Sequence, residues 1–329
     1  MTGKRANLIN VKISAVSHFL PKNIKTNQDI IDENSLRLKD EWIKGSIGIE
    51  SRHWCEDGES ASDLAAEVLK GMPHKIDALI VSTVSQDLMT PSTAAIVQSI
   101  VHPGENYPAF DITAACSGFV YALDLGKRMV QTGHQRVACI ASEIRSYYLN
   151  KQDRRTVMLF GDGAGGVVLS PCEEGEVGII YSKLVADGRH WNSIVVTGNG
   201  SRKEKENEEA KSHIEMRDAT HIFETAVSEM QTIVLNSLKE AKLKLSDIDY
   251  FIFHQASRNI VKNVAEALDL DEDKYFRNFH NKGNMTSAST AVALSEAHQE
   301  GKIKKGDNVL ILATGGGFTG GVVILRWEI

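Results

Sequence analysis

No stretch of this chain approaches the roughly 20 consecutive apolar residues that a bilayer-spanning helix needs. Positive charge is also short: 37 Lys and Arg stand against 43 Asp and Glu, a formal net charge of −6. That balance argues against a nucleic-acid binder or a receptor for polyanions. Cysteine is scarce, with four in 329 residues: Cys55, Cys116, Cys139 and Cys172. None forms a CxxC pair or has a His at metal-ligand spacing, so no metal centre is expected. A disulfide framework is not expected in a chain of this size. Cys139, in the apolar run VACIA, reads as buried in a strand, whereas Cys55 and Cys172 lie in acidic stretches that read as exposed. The start, MTGKRANLINVKISAV, is basic but has neither a clean apolar run nor a small-residue cleavage site. It does not read as a signal peptide, and the expected compartment is the cytoplasm.

What the chain does contain is alternation. Strand-like apolar runs alternate with amphipathic helical segments, the pattern of an α/β architecture. The two halves also echo each other. Ile76-Asp77-Ala78-Leu79-Ile80-Val81 is matched by Ile248-Asp249-Tyr250-Phe251-Ile252-Phe253. Arg136-Val137-Ala138-Cys139-Ile140-Ala141 is matched by Asn308-Val309-Leu310-Ile311-Leu312-Ala313, and Gly165-Gly166-Val167-Val168 recurs as Gly320-Gly321-Val322-Val323. The order is the same each time and the period is far too long for a solenoid. The reading is two duplicated halves about a pseudo-twofold axis, residues 1–172 and 173–329, divided where PCEEG interrupts the strand pattern. Gly200 to Ser212 is dense in mixed charge and reads as a solvated loop.

Four places have the residue types for chemistry. Tyr107–Ile112 reads as a strand, and Thr113-Ala114-Ala115-Cys116-Ser117-Gly118 turns from it into a helix of about Gly118 to Thr132. A Cys at a helix N-terminus meets unpaired N–H groups and a positive dipole end, which favour the thiolate, while burial opposes it. The same pattern also fits a small Cys buried at a tight junction. His254 follows the strand Tyr250-Phe251-Ile252-Phe253, at the strand end where α/β sites lie, although a cap or a core hydrogen bond would use it equally well. Asn284, in a polar loop before a helix of about Thr290 to Glu300, roughly echoes Cys116 in the other half; taken alone it reads as a turn or N-cap residue. Gly315-Gly316-Gly317-Phe318-Thr319 follows another strand and can bring backbone N–H donors close to a reacting group, or simply make a hairpin. Gly161-Asp162-Gly163-Ala164-Gly165-Gly166 satisfies G-x-G-x-x-G by letter, but strand-like Val167-Val168-Leu169 follows, so it reads as a turn between strands and not as a nucleotide site.

Taken in order, these pieces resemble β-ketoacyl-ACP synthase III and its relatives in the thiolase superfamily. The resemblance covers essentially the whole chain. It runs from Asp40-Glu41-Trp42-Ile43 and Gly48-Ile49-Glu50-Ser51-Arg52 through Ala114-Ala115-Cys116-Ser117-Gly118-Phe119 and Phe160-Gly161-Asp162-Gly163-Ala164-Gly165. His254-Gln255-Ala256, Gly283-Asn284 and Gly315-Gly316-Gly317-Phe318-Thr319 complete it. It implies a thiolase-like fold layered αβαβα, a homodimer, and a catalytic triad of Cys116, His254 and Asn284. By the same resemblance, an acyl-CoA would acylate Cys116, the backbone N–H groups of Cys116 and Gly316 would form the oxyanion hole, and malonyl-acyl carrier protein would be the second substrate. CoA thioesters would be substrates, with no metal or redox cofactor. Trp42 and Arg154 match the pair that sandwiches the CoA adenine.

The chain departs from the family pattern at several points. Ser257 stands where an Asn commonly binds the pantetheine arm, Ser46 where an Arg precedes the turn, and Arg155 where a Gly follows Arg154. Glu224, Asn259 and Glu266 occupy positions commonly basic for carrier-protein docking, with Arg258 and Lys262 nearby; an acidic carrier protein prefers a basic patch. Arg145 lies at a position usually apolar near the acyl pocket. It either turns to the surface or pairs with Glu143 or Asp153, or faces the pocket. These departures resemble specialised relatives of secondary metabolism, which use the same triad on another acceptor. A different class, an inactive homologue serving only as a dimer partner, is opposed by the intact Cys-His-Asn set.

Overall fold

Strand residues here alternate between two apolar environments, and the alternation builds two sheets with helices on both faces of each. A computed structural model describes residues 8–72, 75–198, 200–201 and 212–329. The first seven residues and most of the charged Gly200–Ser212 segment lie outside the described residues. No helix among the described residues is long and apolar enough to cross a membrane.

The first sheet has the order Val11–Phe19, Gly163–Pro171, Val137–Glu143, Ala78–Ser82, Ala109–Ile112. Neighbours among its first three strands are antiparallel and neighbours among its last three parallel. The second sheet, taken from Ile179–Ala186, continues through Thr319–Arg326 and Asn308–Gly315 to Tyr250–Phe253. The senses are again antiparallel, antiparallel, parallel. Where the first sheet has its fifth strand, the second has a single parallel bridge from Phe251 to Tyr275.

The repeated Ile-Asp pairs have a physical role. In the first half the Asp77 N–H donates to Arg136 O (2.9 Å) and the Asp77 carboxylate accepts from Arg136 N (2.9 Å). In the second half Asp249 makes the same exchange with Asn308, at 2.9 and 2.7 Å. Each Asp therefore starts a parallel strand pair in register.

Helices Gly118–Gln131 and Ala288–Gln299 lie between the sheets. Their side chains share one core with the inward residues Ile80, Val137, Cys139 and Val167 of the first sheet and Ile252, Val309, Ile311 and Val323 of the second. Helix Ala61–Lys70 covers the outer face of the first sheet, against Leu79, Val81, Ala138 and Ile140. Helices Ala219–Ala241 and Arg258–Ala267 cover the outer face of the second, against Phe251, Phe253, Leu310 and Leu312. The layers thus run αβαβα. Helix Ala288–Gln299 is buried almost all round, as a central helix must be, and its small residues let both sheets close on it.

The repeated Gly-Gly-Val-Val segments make that closure possible. A Cβ on Gly165 would lie 2.8 Å from Val292 N and 2.9 Å from the Ala291 carbonyl carbon, in the central helix of the other half. A Cβ on Gly321 would lie 2.9 Å from Val120 Cγ1 of helix Gly118–Gln131, so the approach is reciprocal. Because the neighbour at Gly165 is helix backbone, overpacking there has nowhere to relax. We expect Gly165→Val to cost at least about 1–3 kcal/mol, read as a lower urea midpoint; an unchanged midpoint would show that the central layer can give way.

Candidate active site

Cys116 sits in a single 3-10 turn, Ala115–Ser117, between strand Ala109–Ile112 and helix Gly118–Gln131. The turn is sharp enough to force Ala115 into the left-handed region at φ 47°. It is latched to the glycine-rich hairpin that joins strands Asn308–Gly315 and Thr319–Arg326. Thr319 Oγ1 donates to Ala114 O (2.9 Å) and accepts from Ser117 Oγ (2.8 Å). A Cβ on Gly315 would stand 2.6 Å from Cys116 N, so only glycine lets the hairpin come this near the Cys116 turn.

Asn284 is held by backbone from the other half. Its N–H donates to Leu159 O (2.9 Å) and its carbonyl accepts from Gly161 N (3.1 Å). Gly283 turns the chain into this pairing at φ 66°. The Asn284 side chain is not a helix cap: Oδ1 accepts from Thr286 N at 2.9 Å, which leaves the NH2 for the cavity that the residue lines. The rough echo with Cys116 also becomes sharper. The left-handed residue before the second central helix is Thr286 (φ 51°), so Ser287 is the counterpart of Cys116 and Asn284 lies three residues earlier.

His254 extends strand Tyr250–Phe253 by one backbone bond, from its N–H to Leu312 O at 2.8 Å. Its ring is buried and Nδ1 has no partner. Burial pulls its pKa down to about 3, so the imidazole is neutral near pH 7. A buried, unpaired nitrogen is better left as a bare lone pair than as an orphan N–H, so the proton belongs on Nε2, where it makes the ring a hydrogen-bond donor.

Cys116, His254, Asn284, Ser257 and Gly316 line one cavity of about 240 Å³. Cys116 and Gly316 also line a second cavity of about 770 Å³, together with Arg145, Tyr148 and Phe160. Cys116 therefore stands where the two meet. The direction of its pKa shift, open from sequence, is upward: burial first, then the Glu143 carboxylate, push the thiol to about 12, with Arg145 and a backbone N–H opposing. At rest Cys116 is a thiol.

Trp42 and Arg154 both line a surface cleft, together with Arg37, Lys39 and Arg155. Leu159 lines both this cleft and the cavity of His254. Ser257 is the N-cap of helix Arg258–Ala267, accepting from Ile260 N at 3.1 Å, and its O–H remains a donor. Arg145 neither turns to the surface nor pairs with Asp153, which is engaged by Arg155; it is 4 % exposed and lines the second cavity.

Two findings were beyond the sequence. Cys55, read as exposed, is buried, because its N–H donates to Asp162 Oδ2 (2.8 Å) and the residue packs in the core beneath helix Ala61–Lys70. Asp162 belongs to the rejected glycine motif, and strand Gly163–Pro171 begins immediately after it. Its carboxylate also accepts from Arg145 N, Ser146 N and Ser146 Oγ, so it anchors the segment carrying Arg145. Glu143, considered from sequence only as an ion-pair partner, is fully buried and accepts from Val84 N, Ser85 Oγ and Ser287 Oγ. Its one visible signal was a carboxylate directly continuing an apolar strand.

Comparison with known proteins places this geometry in a family. Residues 110–188 match the family model for 3-oxoacyl-[acyl-carrier-protein] synthase III, and residues 238–327 match the model for the C-terminal part of the same enzyme. A β-ketoacyl-[acyl-carrier-protein] synthase III of Clostridioides difficile is 39% identical over 327 residues, covering 96% of this chain and 98% of the relative. The crystal structure of 3-oxoacyl-[acyl-carrier-protein] synthase III from Aquifex aeolicus superposes with a TM-score of 0.87 at 34% identity, covering 96% of this chain and all of that one. A priming β-ketosynthase from a polyketide biosynthetic pathway superposes with a TM-score of 0.88 at 25% identity, covering 99% of each chain. The chain is a condensing enzyme of the thiolase fold and belongs to the β-ketoacyl-acyl-carrier-protein synthase III family.

Two pH dependences follow from the site. With the thiol pushed to about 12, iodoacetamide should alkylate Cys116 at a rate rising about tenfold per pH unit from pH 7 to pH 10. A plateau below pH 8.5, followed by peptide mass spectrometry, would contradict a protonated resting thiol. His254 binds a proton in the unfolded chain near pH 6.5 but in the folded chain only near pH 3, so the unfolded state holds more protons in that window and stability falls as pH falls. Between pH 7 and pH 5 this one group should remove about 2 kcal/mol. Urea unfolding at both pH values should show a decline smaller by about that amount in His254→Gln; equal declines would mean that burial leaves the ring's pKa where it stands in the unfolded chain.

Proposed function

We propose that this chain performs an acyl-CoA-primed Claisen condensation through an acyl-Cys116 intermediate, with malonyl-acyl carrier protein as the decarboxylating partner. The observation that supports this best is the place of Cys116 at the junction of two cavities, one of them shared with His254 and Asn284. A two-step transfer needs such a layout, because the acyl chain must stay while the second thioester replaces the first.

In the first step the Cys116 sulfur loses its proton and attacks the thioester carbonyl. A new C–S bond forms, the bond to CoA breaks, and the CoA thiolate leaves with the proton. The N–H groups of Cys116 and Gly316 are assigned to the tetrahedral oxyanion. Trp42 and Arg154 are assigned to the adenine, the cations around them to the phosphates, and the Ser257 O–H to the pantetheine arm. In the second step the malonyl group loses CO₂, and the freed electron pair spreads onto the thioester oxygen as an enolate. Neutral His254, through Nε2–H, and the Asn284 NH2 donate to that oxygen. The carbanion attacks the acyl carbonyl, and Cys116 departs as thiolate and regains a proton. The electrons balance without a redox partner.

Residues 1–172 then carry the nucleophile and residues 173–329 the two enolate ligands. A homodimer would cover Leu88 and Met89, which are exposed at the rim of the Arg145 cavity. A second reading concerns the acceptor. Lys262 is tied to Glu266 (3.4 Å), Asn259 donates to Ser46 O (3.1 Å), and Glu224 and Glu266 add negative charge where an acidic carrier protein would dock. These favour CoA-bound malonate or another acceptor, as in a specialised relative, and turnover on malonyl-acyl carrier protein against malonyl-CoA separates the two.

The triad should divide its labour. Cys116→Ala should take no acyl group from any acyl-CoA by intact mass and should not condense. His254→Ala and Asn284→Ala should still acylate Cys116 yet lose condensation by a factor of about 100 or more. Labelling of Cys116→Ala equal to wild type would remove the nucleophile assignment, and equal loss of both steps in the other two would remove theirs.

A further inference from the structure

Resting on the acyl-Cys116 reading, we propose that the second cavity selects a primer with a terminal carboxylate, a short ω-carboxyacyl thioester, and that Arg145 is the residue that recognises it. Arg145 follows strand Val137–Glu143 and is 4 % exposed, with its guanidinium beside the Tyr148 and Phe160 rings at 5.3 and 6.0 Å from their centroids. The cavity it lines, about 770 Å³, also holds Cys116. An apolar primer has no use for a cation there.

The protein leaves that cation poorly met. Nη1 donates to Val84 O at 3.3 Å and to Ser85 Oγ at 3.2 Å, both neutral acceptors at long range. Nε is buried without a partner. No carboxylate among the described residues forms an ion pair with it. Glu143 comes nearest: its carboxyl feels the Arg145 charge but makes no ion pair with it, and the two are bridged by Ser85, whose hydroxyl donates to Glu143 Oε2 at 2.8 Å; the other Glu143 oxygen is occupied by Ser287 Oγ at 2.7 Å. Asp162 takes the Arg145 backbone N–H, at 2.6 Å, and not the guanidinium. A buried guanidinium with an orphan N–H and no contact anion is costly in a folded chain. A ligand carboxylate accepting from Nε and an Nη would satisfy it with two charge-assisted bonds in the fork geometry that Arg presents. The Asp162 anchor fixes the backbone of Arg145, so the fork is held in place before the ligand arrives.

The primer must fit between two residues of one cavity, because Cys116 and Arg145 both line it. One end of the chain is then bound covalently at Cys116 and the other by Arg145. The carboxylate is not consumed, and the condensation product carries it unchanged at the far end. The enzyme supplying the primer must therefore make a CoA monothioester of a dicarboxylic acid.

The test is the initial rate of Cys116 acylation, by intact mass, with succinyl-, glutaryl- and adipyl-CoA against butyryl-, valeryl- and hexanoyl-CoA. Wild type should prefer at least one carboxylated primer over its alkyl counterpart by thirtyfold or more. Arg145→Leu should reverse the preference, and Arg145→Lys, which keeps the cation and guards against misfolding of the leucine variant, should keep part of it. A wild-type preference for the alkyl series overturns the inference while leaving acyl-Cys116 chemistry intact. A carboxylate preference unchanged in both variants shows that another group recognises the primer, and also overturns it. No acylation by either series would overturn the acyl-Cys116 reading itself, and this inference with it.

Discussion

Two backbone hydrogen bonds, Asn284 N to Leu159 O and Gly161 N to Asn284 O, hold the site together. They join a loop of the second sheet's half to the segment that enters strand Gly163–Pro171 of the first. Asn284 is brought by them to the cavity of Cys116, and Leu159 and Phe160 become walls of the cavities around it. Buried Arg52 anchors the first half's side of the join by donating to Met158 O (2.7 Å) and Asn27 Oδ1 (2.8 Å). The positive φ of Gly283 belongs to the same join, since a Cβ there would lie 2.9 Å from Leu159 O. A catalytic constellation drawn from two halves is only as well aligned as such a seam allows.

The electrostatics of the site follow from burial. Burial makes Cys116 a thiol and His254 a neutral imidazole, so the resting cavity carries little charge apart from the buried Glu143 and Arg145. Charge that develops during reaction therefore meets fixed dipoles in a medium of low dielectric, where each hydrogen bond counts for more than it does in water. The carboxyl of Glu143, held above its ordinary range by burial despite its three hydrogen bonds and the Arg145 charge, fits the same tendency toward neutrality.

Much of this was legible from sequence because strands in an α/β protein deliver their C-terminal ends to one edge. Cys116, His254 and Asn284 each follow a strand or precede a central helix, and the repeated Ile-Asp and Gly-Gly-Val-Val segments marked the duplicated sheet order. Helix ends came within about two residues. Other features depend on contacts distant in sequence. The amide of Cys55 meets a carboxylate 107 residues away, so an acidic local composition gave the wrong surface assignment. Arg145 is bounded by Val84 and Ser85, 61 and 60 residues earlier, and nothing local shows that its guanidinium lacks an anion. The thiol pKa depended on a contest between helix dipole and burial that only the packing decides.

The protonated state of Cys116 also bears on the lifetime of the protein. Peroxide and other oxidants attack thiolates far faster than thiols. A cysteine kept as thiol is chemically quiet toward such reagents. The burial that holds the thiol pKa up therefore also slows the oxidation of Cys116.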